Sequence, residues 1–108
     1  MQGTQFFDLS KLQEQRSAAV RAYVEFLRFP AMSAGVYMVP VDTTDPQSPH
    51  NEDELYYVVR GRGRMRAGAE DRAVSAGSLI FVASGVEHHF YNVEEELIVL
   101  VFFAPSQS

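Results

Sequence analysis

The sequence predicts an all-β domain of the sandwich or barrel kind. Turn-forming clusters recur about every 8–12 residues beyond residue 30, the spacing of short strands joined by tight connections. The segments between them carry Val, Ile, Tyr and Phe in strand-length runs, residues that fit a pleated, half-buried surface. No sustained helical periodicity follows residue 30.

Residues 1–22 read as an N-terminal arm and 23–108 as a single domain. In the arm, Asp8 or Ser10 can cap a short helix through Leu12, and an extended arm is the equal alternative. Tyr23–Phe29 alternates imperfectly and stops at Pro30, and Gly35–Val39 stops at Pro40. Val41–Pro49 has the composition of a loop. Glu54–Arg60 is the clearest strand, with Gly61 expected to close it. Arg62–Ala67 leads to a turn at Gly68–Asp71, and Arg72–Val74 returns. Turns at Ala76-Gly77 and Ser84-Gly85 bracket a strand over Ser78–Val82. Glu87–Asn92 is short, Glu94–Glu96 is expected to form a solvated acidic turn, and Leu97–Ala104 is the last apolar strand.

Composition narrows the chemistry. In 108 residues, 46% hydrophobic and 12% aromatic content can fill one core. A net charge of −5, from 9 basic and 14 acidic residues, argues against a nucleic-acid partner, which needs a basic face. Leu97–Ala104 is the longest apolar run, far short of the roughly 20 residues of a membrane helix, so no membrane partner is expected. The N-terminus lacks the basic start and apolar stretch of a secretory signal, and the cytoplasm is the expected location. The absence of cysteine excludes disulfides, thiolate zinc sites and a cysteine nucleophile. Metal chemistry must therefore run through His50, His88, His89 and neighbouring carboxylates.

Two segments carry that chemistry, Pro49–Gly61 and Gly77–Asn92. His50 and Glu54 are four apart, so an extended chain points both to one side, and Tyr56 and Val58 continue that face. His88 comes from a different strand and approaches only through folding. Imidazole nitrogens and a carboxylate on a rigid β-scaffold suit a divalent metal. His89, next in sequence, faces away from His88. Arg60 and Arg64 read as solvated or salt-bridged, and Phe81, Phe90 and Phe102 as core.

These segments resemble the paired motifs of the cupin superfamily, small β-barrels of jelly-roll type. The second motif runs Gly, five residues, Pro, one, Gly, two, His, three, Asn. Here it is met by Gly77, Gly85, His88 and Asn92, with Ala83 standing where Pro is usual. The first motif ends with Glu, six residues, Gly, as in Glu54 and Gly61. Upstream the family places His, one residue, His, ahead of the Glu. Counting back makes His50 the second histidine and puts Ser48 where the first would stand. Gln47 lies beside it between Pro46 and Pro49, which disturb strict alternation, and can turn inward to offer a carbonyl oxygen. The other register, with His50 first and Glu52 second, leaves only one residue before Glu54.

The resemblance implies one divalent transition metal (iron, manganese, nickel, cobalt or zinc) on His50, Glu54 and His88, with Gln47 as a fourth ligand. Two histidines and a carboxylate with open positions are the arrangement of non-haem iron oxygenases. Tyr56 is expected to act in catalysis or to bond the ligand. The implied function is binding, or acting on, a small organic molecule inside the barrel, with dioxygenase-type chemistry as one reaction. A non-catalytic small-molecule-binding module and a metal-dependent isomerase are the alternatives, because one fold hosts many reactions. Tyr23–Phe29 and Val36–Val39 add strands beyond a minimal barrel, and pairing through such edges implies a homodimer.

Overall fold

Two long strands organise the chain. The computed structural model describes residues 3–15, 22–44 and 49–107. In it β3 (Asp53–Ala67) and β6 (His88–Ala104) pair antiparallel, from Asp53↔Ala104 to Ala67↔His88. On the other side of β6 lie β2 (Met32–Val39) and then β1 (Ala22–Phe29). On the other side of β3 lie β5 (Leu79–Val82), against its first half, and β4 (Glu70–Ser75), against its second. All pairings are antiparallel, and one short helix, α1 (Leu9–Glu14), precedes them.

Gly61 does not end its strand as expected. It sits inside β3 at φ +97°, where an added Cβ would run into the Glu96 carbonyl oxygen, so only glycine fits. The β3–β6 register slips repeatedly between Val58 and Arg64 around it. On β6 the matching irregularity is Asn92, at φ +49°, a conformation asparagine tolerates better than most residues. Bulges of this kind bend a ribbon and let a sheet curl around a core.

The bulge also explains the fate of Glu94–Glu96, expected as a turn. The triplet lies within β6, with Glu95 in register with Arg62. Arg62 Nε stands 3.3 Å from Glu94 Oε1, so opposite charges face each other across the pair. Glu94 and Glu95 are exposed, as expected.

Burial separates the two faces. Glu54, Tyr56 and Val58 alternate inward along β3 and join Tyr37, Val39, Phe90 and Phe103 in the interior. Val36 and Met38 point the other way and are covered by Leu12 of α1. Both faces of β2 are thus buried, which is why its sequence reads as a continuous apolar run. Val36–Val39 therefore offers no edge, and among the described residues β1 is the strand at that end of the sheet. Asp8 occupies the N-cap position of α1 without a side-chain cap bond, and Ser10 lies inside the helix. Phe81, expected in the core, is 64% exposed and sits in register with exposed Leu55. It falls on the outward phase of β5, whose short length hid the alternation.

Candidate metal centre

The two sequence segments are fastened together by two hydrogen bonds from backbone N–H groups. The Gly85 N–H donates to the His50 carbonyl at 2.7 Å, and the Ser84 N–H donates to Asp53 Oδ1 at 2.8 Å. Gly85 makes this turn at φ +81°. His50 thereby lies just ahead of β3, beside the turn that leads into His88 at the start of β6. β3 then carries Glu54 to the same point, since Glu54 is in register with Phe103 of β6 and Val82 of β5.

Among the described residues, His50, Glu54 and His88 form a group whose ligand-type atoms all lie within 4.8 Å of one another. His88 Nε2 is 3.1 Å from Glu54 Oε1, and His50 Nε2 is 3.9 Å from the same oxygen. Glu54 and His88 are 2% exposed, so water screens them little. Each side chain also has a second polar atom, and each of these is held from outside. His88 Nδ1 lies 2.8 Å from the Val86 carbonyl. That carbonyl can only accept, so Nδ1 carries the proton and Nε2 presents its lone pair to the centre. The Tyr56 hydroxyl donates to Glu54 Oε2 at 2.6 Å. The Gln107 side-chain amide lies 3.3 Å from His50 Nδ1.

This donor set fits a transition metal. Metal bonds of about 2.0–2.2 Å put neighbouring ligand atoms roughly 3–3.5 Å apart; the His88–Glu54 separation of 3.1 Å matches this, and His50, at 3.9 Å from Glu54, has a little further to close. A second ring of partners holding the far side of each ligand is the usual surround of a metal site. The expected ligand Gln47 lies outside the described residues. Glu52 is buried and is not one of the cluster's residues. His89 turns to the other side of β6, with its ring 5.4 Å from that of Tyr91. Arg64 pairs with Asp71 at 3.2 Å, as the salt-bridged reading expected, and Arg60 is exposed.

Beside the centre lies a cavity of about 210 Å³, lined by His50, Tyr56, Tyr23, Tyr37, Phe103 and Gln107 among others. Tyr23, Tyr37 and Gln107 were not singled out from the sequence as site residues. One signal for Tyr23 was there in Gly35. The Tyr23 ring lies across this glycine, and a Cβ there would collide with its ring carbons and hydroxyl. A glycine inside an apolar strand often marks such a close approach. Burial, aided by Glu25 and Glu54 and opposed by Arg28, pushes the Tyr23 phenol above its ordinary pKa, so it stays a neutral donor. Nothing local marks Gln107, which reaches the cavity from beyond the last strand.

A family model described as the cupin domain matches residues 35–104. The chain belongs to the cupin family. An uncharacterized protein of Streptomyces coelicolor is 44% identical over 102 residues, 94% of this cupin and 97% of that protein. A solved structure from Thermus thermophilus superposes with a TM-score of 0.82 at 21% identity, covering 95% of this chain and 99% of that one. An uncharacterized double-stranded β-helix protein of Klebsiella pneumoniae superposes with a TM-score of 0.79 at 15% identity, covering 94% and 90%. These likenesses establish the cupin barrel and the jelly-roll expectation. Among the described residues, no helix is long and apolar enough to cross a membrane.

Proposed function

We propose that this cupin holds one divalent transition metal ion on His50 Nε2, Glu54 Oε1 and His88 Nε2, and acts on a small organic acid or enol-type chelator in the adjoining cavity. The observation that carries the reading is the inward convergence of three donors whose outer atoms are each already engaged. His88 Nε2 and Glu54 Oε1, two acceptors 3.1 Å apart, favour a cation between them. A bound divalent ion supplies Lewis acidity and open positions for a chelating ligand.

The chain's own residues supply the rest. A cavity of about 210 Å³ is below the roughly 300–1,000 Å³ of drug-sized sites, which points to a small ligand. Its walls are largely aromatic, and the neutral Tyr23 phenol can donate to a ligand oxygen. Tyr56 spends its hydroxyl on Glu54, so its part is to position that carboxyl group. Gln47 remains a candidate fourth ligand within the proposal.

Metal analysis of protein expressed in iron-, manganese- and zinc-supplemented media tests the centre. About one equivalent in the wild type and none in a His50→Ala/His88→Ala double variant is expected. Full occupancy in the double variant would sink the reading. Oxygen-uptake and turnover screening with catechol-type and β-diketone substrates separates an oxygenase from a binding module, which would retain a ligand without turnover.

The proposal also takes residues 23–108 as the functional barrel, the cytoplasm as its location and a homodimer as its state. The edge of β1, which pairs with no other strand among the described residues, supports the dimer, since such an edge invites a second strand. A monomer by light scattering at high micromolar concentration would remove that part.

A further inference from the structure

Beyond β6 the chain is tied to the β1–β2 hairpin. The Ser106 N–H donates to the Pro30 carbonyl at 3.3 Å, and the Gln107 N–H donates to Ser33 Oγ at 2.9 Å. Ser33 is fully buried on β2, so its hydroxyl gives the tail an anchor inside the protein. From there the Gln107 side chain reaches His50, 57 residues away in sequence, and lies 3.3 Å from Nδ1.

We infer that this C-terminal tail is a clasp, and that the Gln107 amide orients His50 for metal binding and can support its metal-binding tautomer. The inference rests on the metal reading above. For Nε2 to offer a lone pair to a metal, a neutral His50 must carry its proton on Nδ1, and that proton needs an acceptor. In the structure the amide nitrogen faces Nδ1, which suits the opposite tautomer, with the proton on Nε2 directed toward Glu54 Oε1. A half-turn of the amide exchanges nitrogen for oxygen and serves the metal-binding tautomer without moving the backbone. A primary amide, having both a donor and an acceptor, can attend His50 in both states. His88 and Glu54 have their counterparts in the Val86 carbonyl and the Tyr56 hydroxyl. Gln107 completes this outer ring and is a positioning residue, since it acts through His50.

The test is cobalt(II) affinity, by competition with a chromophoric chelator, with the d–d absorption spectrum as a readout of ligand geometry. Gln107→Met keeps the length and packing of the side chain but has no acceptor comparable to the amide oxygen, and weakens cobalt binding about 10- to 100-fold with an altered spectrum. Gln107→Glu keeps an acceptor and binds at least as tightly as wild type. Ser33→Ala frees the tail without touching a ligand and weakens binding in the same direction. In the zinc(II)-loaded wild type the His50 Nδ1 proton gives a slowly exchanging ring N–H resonance, and in Gln107→Met it exchanges freely with water. Thermal melts of the metal-free variants identify any that fail to fold, and the resonance together with Gln107→Glu then decides. Cobalt binding by Gln107→Met within about threefold of wild type, or a Gln107→Glu variant as weak as Gln107→Met, overturns the clasp alone. Absence of cobalt binding by the wild type overturns the metal centre and the clasp with it.

Discussion

Removing one buried oxygen, with Tyr56→Phe, tests how Glu54 is held. Tyr56 and Glu54 are 1% and 2% exposed, so neither exchanges its partner for bulk water. Their 2.6 Å contact falls within the roughly 2.5–2.7 Å range of an O–H···O⁻ bond, which sets the magnitude at the charge-assisted end. Leaving that acceptor without its donor costs about 1.5–3 kcal/mol. At roughly 4–8 °C per kcal/mol for a domain near 100 residues, the metal-free protein loses roughly 6–24 °C in Tm. The ring still fills its place, so little of this is a packing cost. The assay is thermal and urea unfolding, in excess chelator, of Tyr56→Phe, Glu54→Gln and the double variant. Coupling of about 1–3 kcal/mol is expected, because Tyr56→Phe removes the bond and Glu54→Gln removes the charge that strengthens it. Metal affinity falls about tenfold in Tyr56→Phe, as for other outer partners of metal ligands. Strict additivity, or a fall in Tm below about 2 °C, would show that the hydroxyl does not hold Glu54 and refute the reasoning.

Three further outcomes follow from the same geometry. Gly35→Ala drives the Tyr23 ring off its strand, enlarges the cavity and forfeits the edge contact with Tyr37, worth about 0.5–1.5 kcal/mol; an unmoved Tyr23 ring in a crystal structure of the variant would contradict it. Stripping metal with a chelator lowers Tm, because a metal at a hundred times its Kd adds about 2.7 kcal/mol to the folded state; melts indifferent to metal and chelator count against the centre. The Tyr91 hydroxyl, at 2.6 Å, and the Arg64 guanidinium hold the Asp71 carboxyl below its ordinary value of 3.8. A carboxyl group depressed on folding stabilises above its unfolded pKa and loses that contribution as pH falls through the folded value. The stability gap between wild type and Asp71→Asn is therefore present at neutral pH and closes below pH 3.8, and it is small because the site is solvated; urea melts in which the gap persists at the lowest pH would be the contrary result.

What could be read from the chain alone was whatever local spacing encodes. Side-chain alternation placed Glu54, Tyr56 and Val58 on one inward face, and the resemblance of Gly77–Asn92 to the cupin motif singled out His88 over His89. Strand geometry makes the first reading local, because a period of two depends only on neighbours. Where local signals misled, a long-range pairing was the cause. Gly61 looked like a strand end and Glu94–Glu96 like a turn, but β3 and β6 hold each other through a bulge that glycine and Asn92 absorb. Tertiary structure alone decided what surrounds the ligands. Tyr23 arrives across Gly35, the His50 loop is tied to the turn at Gly85, and Gln107 comes from beyond the final strand. These contacts join residues far apart in sequence through single hydrogen bonds or one ring packed on a glycine. No periodicity records such meetings; they exist only once the sheet has formed and brought Tyr23, His50 and Gln107 to one cavity.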